Sequence, residues 1–365
     1  MQKELKSGYT TGTHATAVVT AVLLEYMQNE IADSLEIMLP KEKKADIKVQ
    51  RCSRNHFSTI KVDNDDLDVT KGCCIHAELF LQAPQGLKKQ VPTCLEVHDS
   101  KIFLYAGEGV GVATKKGLSI GIDSPAINPT PCSMMQNMAR TIIGAHKEAL
   151  HIVISVENGK EIAKQTANAK VGVLGGISIL GTRGIVKPIS ADAYLDSIAT
   201  EIAVADANGV KNIVFTLGNT SQDYALKHYD EEQVVEVGNF VYEASERLLN
   251  TSLEKMTFIS GSGKLCKIAQ GCKNTHNRFG TIDFDLLKTW VLEELEVDIR
   301  DEDFRMLKAV LQTLTQSQVK QFVRFLNYKA GTHFLQWFED LGVRIQTIEI
   351  ITLQGDDVIR KEIQW

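Results

Sequence analysis

Residues 171–188 read VGVLGGISILGTRGIVKP. Five glycines, Gly172, Gly175, Gly176, Gly181 and Gly184, interrupt an otherwise apolar run. Residues 171–174 have the pattern of a buried strand. The glycines end that strand where a backbone can lie close to a ligand, because glycine reaches φ > 0 and carries no Cβ. Such loops suit nucleotide-like or anionic ligands, and a tight turn in a glycine-rich fold is the competing reading. Around and beyond the stretch, strand patterns at 152–156, 212–217 and 255–259 alternate with helical patterns at 159–165, 234–250 and 264–270. A further helix is expected after Ser190 as N-cap, with Leu195, Ile198, Ile202 and Ala205 on one face and Gly209 at its end. Helices fill much of 285–341, and 344–353 alternates as a late strand. Alternation of this kind implies a mostly parallel sheet.

Upstream the rhythm differs. A helix pattern over 14–28 is followed by short β-like runs at 35–39, 47–52, 57–62, 74–81 and 95–105, separated by turn-rich segments. That is the pattern of an antiparallel or mixed sheet. Residues 107–121, GEGVGVATKKGLSIG, repeat the glycine theme; bulges in a sheet account for them as well as a ligand loop does. The three prolines of 125–131, PAINPTP, exclude a helix interior there, so a helix is expected just after Pro131, running to about residue 149. The fold class expected is α/β (α+β overall): a mixed-sheet N-terminal domain, 1–160, and a C-terminal domain, 161–365, with strands and helices alternating around a mostly parallel sheet.

Composition sets the outer bounds. The chain has 365 residues, 44% hydrophobic and 24% charged, enough for two domains with separate cores. A net charge of −6 disfavours generic nucleic-acid binding. No apolar run approaches the roughly 18–20 residues that span a bilayer, and the N-terminal MQKELKSGYTTG lacks the apolar centre of a signal peptide. A cytoplasmic protein without membrane or nucleic-acid partners is the expectation; a homo-oligomer is left open. The seven cysteines form no CxxC and no disulfide scaffold. Cys73-Cys74-x-His76 is the tightest thiol–imidazole group, but adjacent cysteines point poorly toward one metal, so buried thiols are preferred and no metal site is expected.

Four segments carry chemistry. Gly261-Ser262-Gly263-Lys264 resembles a P-loop but fails it: position 258 is Phe and position 265 is Leu. Its strand–glycine–helix order still leaves a helix N-terminus for an anion near Lys264 and Lys267. Residues 171–188 lack G-x-G-x-x-G, and the strand ending in Leu217-Gly218-Asn219 lacks a ribose-binding acid. Thr10, Thr11, Gly12 and Thr13 precede a helix, where hydroxyls and free N–H groups either cap the helix or bind an anion; His14 faces the same loop. His276, in Asn274-Thr275-His276-Asn277-Arg278, is of the residue type suited to acid–base work near neutrality, or is simply a surface-loop or helix-cap residue.

In order, Ser7-GYTTGT-His14, Asp65-DLDVTKG-Cys73, Gly109-VGVATKKGL-Ser119, Ser124-PAINPTP-Cys132, Glu157-NGKEIAKQT-Ala167, Gly172-VLGGISILGTRGIV-Lys187, Gly238-NFV-Tyr242, Gly263-KLCKIAQG-Cys272 and Thr275-His276 resemble the cobalt-precorrin-5B C1-methyltransferase (CbiD) family. The resemblance runs from about residue 6 to 280. It implies methyl transfer from S-adenosylmethionine to ring carbon 1 of cobalt-precorrin-5B, giving cobalt-precorrin-6A in corrin-ring synthesis, with cobalt arriving only in the tetrapyrrole substrate. Glycine and charge placement then suggest Gly175, Gly176, Gly181, Thr182 and Gly184 for the cofactor. The same reasoning suggests Thr10, Thr11, Gly12, Thr13, His14, Lys115, Lys116, Arg183, Lys264 and Arg278 for the substrate carboxylates, and His276 as catalytic group. The chain departs from the family pattern at His14 (Cys or Ser expected), Leu67 (Pro), Lys71 (His) and Cys132 (Arg), and in a glycine–lysine loop one residue short. A nucleotide-dependent oxidoreductase and a non-catalytic corrinoid carrier are the alternatives.

Overall fold

The structure is a computed structural model that describes residues 7–62, 64–65, 68–186 and 191–364; Leu67, Lys187, Pro188 and the expected cap Ser190 lie outside the described residues. The chain divides into two compact units, Met1–Ala191 and Asp192–Trp365. The boundary therefore falls at 191/192 where the sequence suggested 160/161. The reason is pairing: the glycine-rich stretch, expected to open the second domain, hydrogen-bonds back into the first.

The first unit contains β1 (Gly8–Tyr9), α1 (Thr11–Gln28), β2 (Ser34–Met38), β3 (Lys44–Lys48), β4 (Gln50–Ser53), β5 (His56–Ile60), β6 (Cys74–Phe80), β7 (Thr93–Val97) and β8 (Ser100–Ala106). It continues with β9 (Gly109–Val110), β10 (Val112–Ala113), α2 (Pro129–Ile142), β11 (Leu150–Val156), α3 (Gly159–Ala163), β12 (Val173–Leu174), β13 (Gly176–Ile177) and β14 (Ile185–Val186). A mixed sheet runs β4-β5-β6-β11-β8-β7, antiparallel except where β8 and β11 lie parallel. Ile75, Ala77 and Leu79 of β6 and Ile152, Ile154 and Val156 of β11 alternate inward onto α1. Every residue of α1 from Thr11 to Leu23 is buried. Its small side chains allow that, and Thr16 and Thr20 return their hydroxyl protons to carbonyls one turn back, both at 2.8 Å.

Two expectations change here. The helix expected after Pro131 starts at Pro129, because prolines in a first turn lack N–H groups that would have no helical partner anyway. The single run 95–105 is a hairpin, β7 and β8, folded at His98-Asp99 with His98 at φ 52°.

The second unit contains α4 (Ala191–Ala207, beginning at the boundary), β15 (Asn212–Thr216), α5 (Asn219–His228), β16 (Val234–Glu236), α6 (Val241–Glu246), β17 (Lys255–Gly261) and α7 (Ser262–Ala269). Then come α8 (Phe284–Leu295), α9 (Leu307–Gln312), α10 (Gln316–Leu341), β18 (Thr347–Gln354) and β19 (Asp357–Gln364). Its sheet runs β16-β15-β17-β18-β19, parallel except for the last pair. The segment 234–250, expected as one helix, begins as β16: Val234 and Val235 are β-branched and buried beside β15. Among the described residues no helix is long and apolar enough to cross a membrane.

Candidate functional site

The expected site residues fall into two groups, one in each unit. In the first unit the threonine loop and residues 178–186 are brought together. β1 pairs with β14, and the amides of Thr10 and Gly12 donate to the carbonyls of Gly184 (3.1 Å) and Leu180 (3.0 Å). Thr13 Oγ1 donates to Gly184 O at 2.7 Å. Thr10 Oγ1 therefore donates to Thr13 Oγ1, and it accepts the Thr13 amide as N-cap of α1, both at 3.2 Å. Thr11 Oγ1 accepts the Leu180 amide at 3.0 Å. All three hydroxyls are buried and engaged within the chain.

The glycines of the quoted stretch are also largely explained by packing. An added Cβ would lie 2.1 Å from Gly109 O at Gly176, and 2.3 Å from Thr10 Oγ1 at Gly181. Gly184 meets Leu39 and Thr13 in the same way. Gly175, at φ +90° with nothing near its missing Cβ, is not explained in this way, and Thr182 and Arg183 are exposed. Lys115 donates to Lys170 O at 2.9 Å and packs on Gly172, while Lys116 is exposed.

His14 is buried against neighbours that the sequence did not join to it. Its Nδ1 lies 3.1 Å from Thr59 Oγ1, whose proton goes to Lys48 O at 2.7 Å. Nδ1–H is thus the donor, and Nε2 is a buried acceptor without a partner. Burial, and then the Lys61 charge, lower the His14 pKa to about 4. Lys61, 1% exposed, pairs with Asp68. Burial alone would raise the Asp68 pKa; hydrogen bonds from Lys61 and Thr70 and the Lys61 charge bring it below the usual carboxylate value. A lysine inside an apolar-flanked turn gave no periodic signal that could have found this pair.

In the second unit the order β16-β15-β17 means the chain leaves β15 first to one side and then to the other. Ligands in open α/β sheets bind at such a switch point, outside the carboxyl ends of the strands. There β15 runs through Gly218 into α5, and β17 through Gly261 into α7. An added Cβ at Gly218, Gly261 or Gly263 would meet nothing within 4 Å.

Lys264, in the first turn of α7, is half-buried. Its Nζ donates to Asn239 Oδ1 at 2.5 Å and lies 3.3 Å from Thr275 O. Lys267 is buried, and its Nζ donates to Thr275 O (3.0 Å), Asn277 Oδ1 (2.6 Å) and Gly280 O (2.9 Å). Among the described residues no carboxylate pairs with either ammonium. Burial and then the Lys267 charge depress the Lys264 pKa. Lys267 ties the 275–280 loop to α7 and is enclosed; Lys264 Nζ also has three oxygens in reach, Thr275 Oγ1 at 3.4 Å being the third, but it is only half-buried and is the more accessible ammonium of the two.

That loop also carries His276 and Arg278, both exposed. His276 Nδ1 accepts the Arg278 amide at 3.1 Å, so neutral His276 presents Nε2–H, a donor. Asn239 and Thr275, which hold Lys264 and each other (2.8 Å), lie in quoted segments but were not expected as partners of the lysine; a lysine three residues into a helix gives no hint of contacts 25 and 11 positions away.

Comparison with known proteins first gives a class. Curated relatives that carry the name cobalt-precorrin-5B C(1)-methyltransferase include one from Priestia megaterium, 34% identical over 97% of this chain and 95% of its own length. Another, from Hahella chejuensis, is 35% identical over 78% and 77%. The CbiD family model matches residues 1–188, and the chain belongs to the CbiD family. A crystal structure of the cobalamin biosynthesis protein cbiD from Archaeoglobus fulgidus aligns with a TM-score of 0.40 at 24% identity, covering 75% of this chain and 83% of that one.

Proposed function

We propose that the chain is a cobalt-precorrin-5B C1-methyltransferase, taking its methyl group from S-adenosylmethionine. The observation that carries the reading is collinearity: the Priestia megaterium relative of that name matches nearly the whole length of both chains. The donor supplies an electrophilic methyl on a sulfonium. The protein's part is to bring donor and acceptor carbon into contact and to exclude water. No potent protein nucleophile is needed.

Lys264 is assigned to a substrate carboxylate. Its ammonium is held by neutral oxygens alone and is backed by the Lys267 charge, so an added anion gains a charge-assisted hydrogen bond. Arg278 and His276, on the loop that Lys267 anchors, extend the same polar edge; His276 acts as a hydrogen-bond donor or acid there. For the methyl donor, the assignment to residues 175–184 narrows to Gly175 and Thr182, because Gly176, Gly181 and Gly184 are already required by packing. Thr10, Thr11, Gly12 and Thr13 are assigned the task of holding that stretch in place, with His14 behind them. Lys115, Lys116 and Arg183 complete the cationic side of the first unit.

A single-turnover assay with methyl-labelled S-adenosylmethionine and anaerobically prepared cobalt-precorrin-5B tests the reaction. Label should appear on ring carbon 1; tetrapyrrole binding without transfer would mean a carrier instead. Lys264→Ala should raise KM for the tetrapyrrole about tenfold or more, the loss of one charge-assisted hydrogen bond, with kcat little changed. An unchanged KM removes Lys264 from the site.

A further inference from the structure

The outer face of the first unit's sheet collects side chains that the methyl-transfer reading does not use. β5 and β6 alternate, so Phe57, Ile75 and Ala77 point to α1 while His56 and His76 point away. The register sets Ser58 opposite His76, and β4 brings Cys52 to Ser58, with Sγ 3.3 Å from its Oγ. His56 Nε2 lies 3.2 Å from His76 Nδ1. The ligand atoms of Cys52, His56 and His76 all lie within 4.8 Å of one another. From the strand end after β11, Glu157 Oε1 sits 3.0 Å from His76 Nε2.

We propose that Cys52 Sγ, His56 Nε2 and His76 Nδ1 form a binding site for one borderline-soft divalent transition-metal ion of the zinc class, with Glu157 orienting His76. Three independent features converge. The first is donor chemistry: a thiolate with two imidazoles selects zinc-like ions over magnesium or calcium. The second is spacing: two nitrogens each about 2.0–2.1 Å from a tetrahedral ion stand about 3.3 Å apart, close to the 3.2 Å between His56 Nε2 and His76 Nδ1. The third is the carboxylate. Glu157 accepts the Nε2 proton of His76, which leaves Nδ1 as a bare lone pair facing His56 and Cys52, the arrangement that metal-binding histidines adopt.

Binding releases the thiol proton of Cys52, while the proton that His56 Nε2 gives to His76 Nδ1 moves to His56 Nδ1, so both rings bind as neutral imidazoles. Cys52 is exposed, so the ion has a path in. Cys74, two residues before His76 on the same face of β6, groups with His76 and Glu157 and is the competing thiol. Sequence spacing hid the site because strand pairing, not a CxxC, joins Cys52 and His56 to His76.

The test uses the full chain, reduced and stripped with a chelator, titrated with Co2+ alone and then Zn2+ alone. One equivalent of Co2+ should give visible d–d bands and a thiolate charge-transfer band, displaced by one equivalent of Zn2+ and not by excess Mg2+. Cys52→Ser should abolish the thiolate band; His56→Gln and His76→Gln should abolish stoichiometric binding, with circular dichroism confirming the fold. Glu157→Gln should weaken binding about 10–100-fold while keeping the spectrum. Cys74→Ser should keep both band and stoichiometry. Absence of a thiolate band in the unaltered chain, or a band that survives Cys52→Ser and disappears in Cys74→Ser, overturns the proposal.

Discussion

Gly175 and Gly176 are neighbours with opposite reasons for being glycine. At Gly176 a methyl group would enter the backbone of β9, 2.1 Å from a carbonyl oxygen that cannot rotate away. At Gly175 the methyl would meet nothing, and only the positive φ opposes it. Gly176→Ala should therefore cost about 3 kcal/mol or more, as overpacking against fixed backbone does. Gly175→Ala should cost about 1–2 kcal/mol, the left-handed penalty alone. Urea titration of the two variants checks the order; equal midpoints would mean that the β9–β13 contact is not the constraint. The same comparison bears on ligand binding. Isothermal titration with S-adenosylmethionine should respond to Gly175→Val, and Gly176→Val should first show as lost stability.

At the scale of elements, α10 shows how closely one helix is fitted to its sheet. Its capping box, Thr315 with Gln318, fixes the start, and Gly342 in the left-handed conformation ends it. Between them Phe322, Leu326, Ala330, Phe334 and Phe338 are buried on the second unit's core. Gly331 lets the helix touch β19: a Cβ there would lie 1.9 Å from Ile363 Cδ1. Gly331→Ala gains helix propensity but must displace that methyl, with a net cost of about 1–3 kcal/mol. Ile363→Val removes the Cδ1 atom and alone costs about 0.5–1.5 kcal/mol. The double variant should be more stable than the sum of the singles by 0.5 kcal/mol or more, and strict additivity in thermal unfolding would place the clash elsewhere. Elements like this one mark what periodicity conveys. The alternation in β6, β11 and β18 and the helix stripes were legible, because each buries one face. β19, polar on an edge and reading DVIRKEIQ, was not, and neither was β16, whose three residues sit in a longer helical pattern. The threonine loop was readable as a cap, but its partners at 180–184 lie some 170 positions away, beyond any local signal. The same limit applies to Lys61 with His14, and to Asn239 with Lys264.

At the scale of the whole molecule, each unit buries apolar cores of its own: one drawn from residues 15–179 in the first, and in the second a large one from 198–350 and a small one of Val214, Ala225, Val234, Ile259 and Ile351. Their responses to acid should separate. His14 is buried and neutral in the first unit, with a folded pKa of about 4 against an ordinary 6.5. Its folded pKa is depressed, so the unfolded chain takes the proton first as pH falls. The stability is whole above pH 6.5, declines between 6.5 and about 4, and levels off below; the two-and-a-half-unit gap corresponds to roughly 3 kcal/mol. The facing groups are Lys61, whose charge adds to the depression, Thr59, which does not titrate in this range, and the Tyr9 ring, packed edge-on at 6.5 Å. Trp290 and Trp337 are buried in the second unit, Trp365 lies outside the described residues, and residues 1–191 contain no tryptophan, so indole fluorescence does not report on the first unit, whereas far-ultraviolet circular dichroism reports on both. Between pH 7 and pH 5 the dichroism transition in urea should broaden toward lower denaturant while the fluorescence transition moves much less. His14→Gln should remove most of the difference, since an uncharged amide has no proton to take up. Coincident fluorescence and dichroism curves at pH 5, or an unchanged separation in His14→Gln, would show that the acid sensitivity of this chain originates outside the buried histidine.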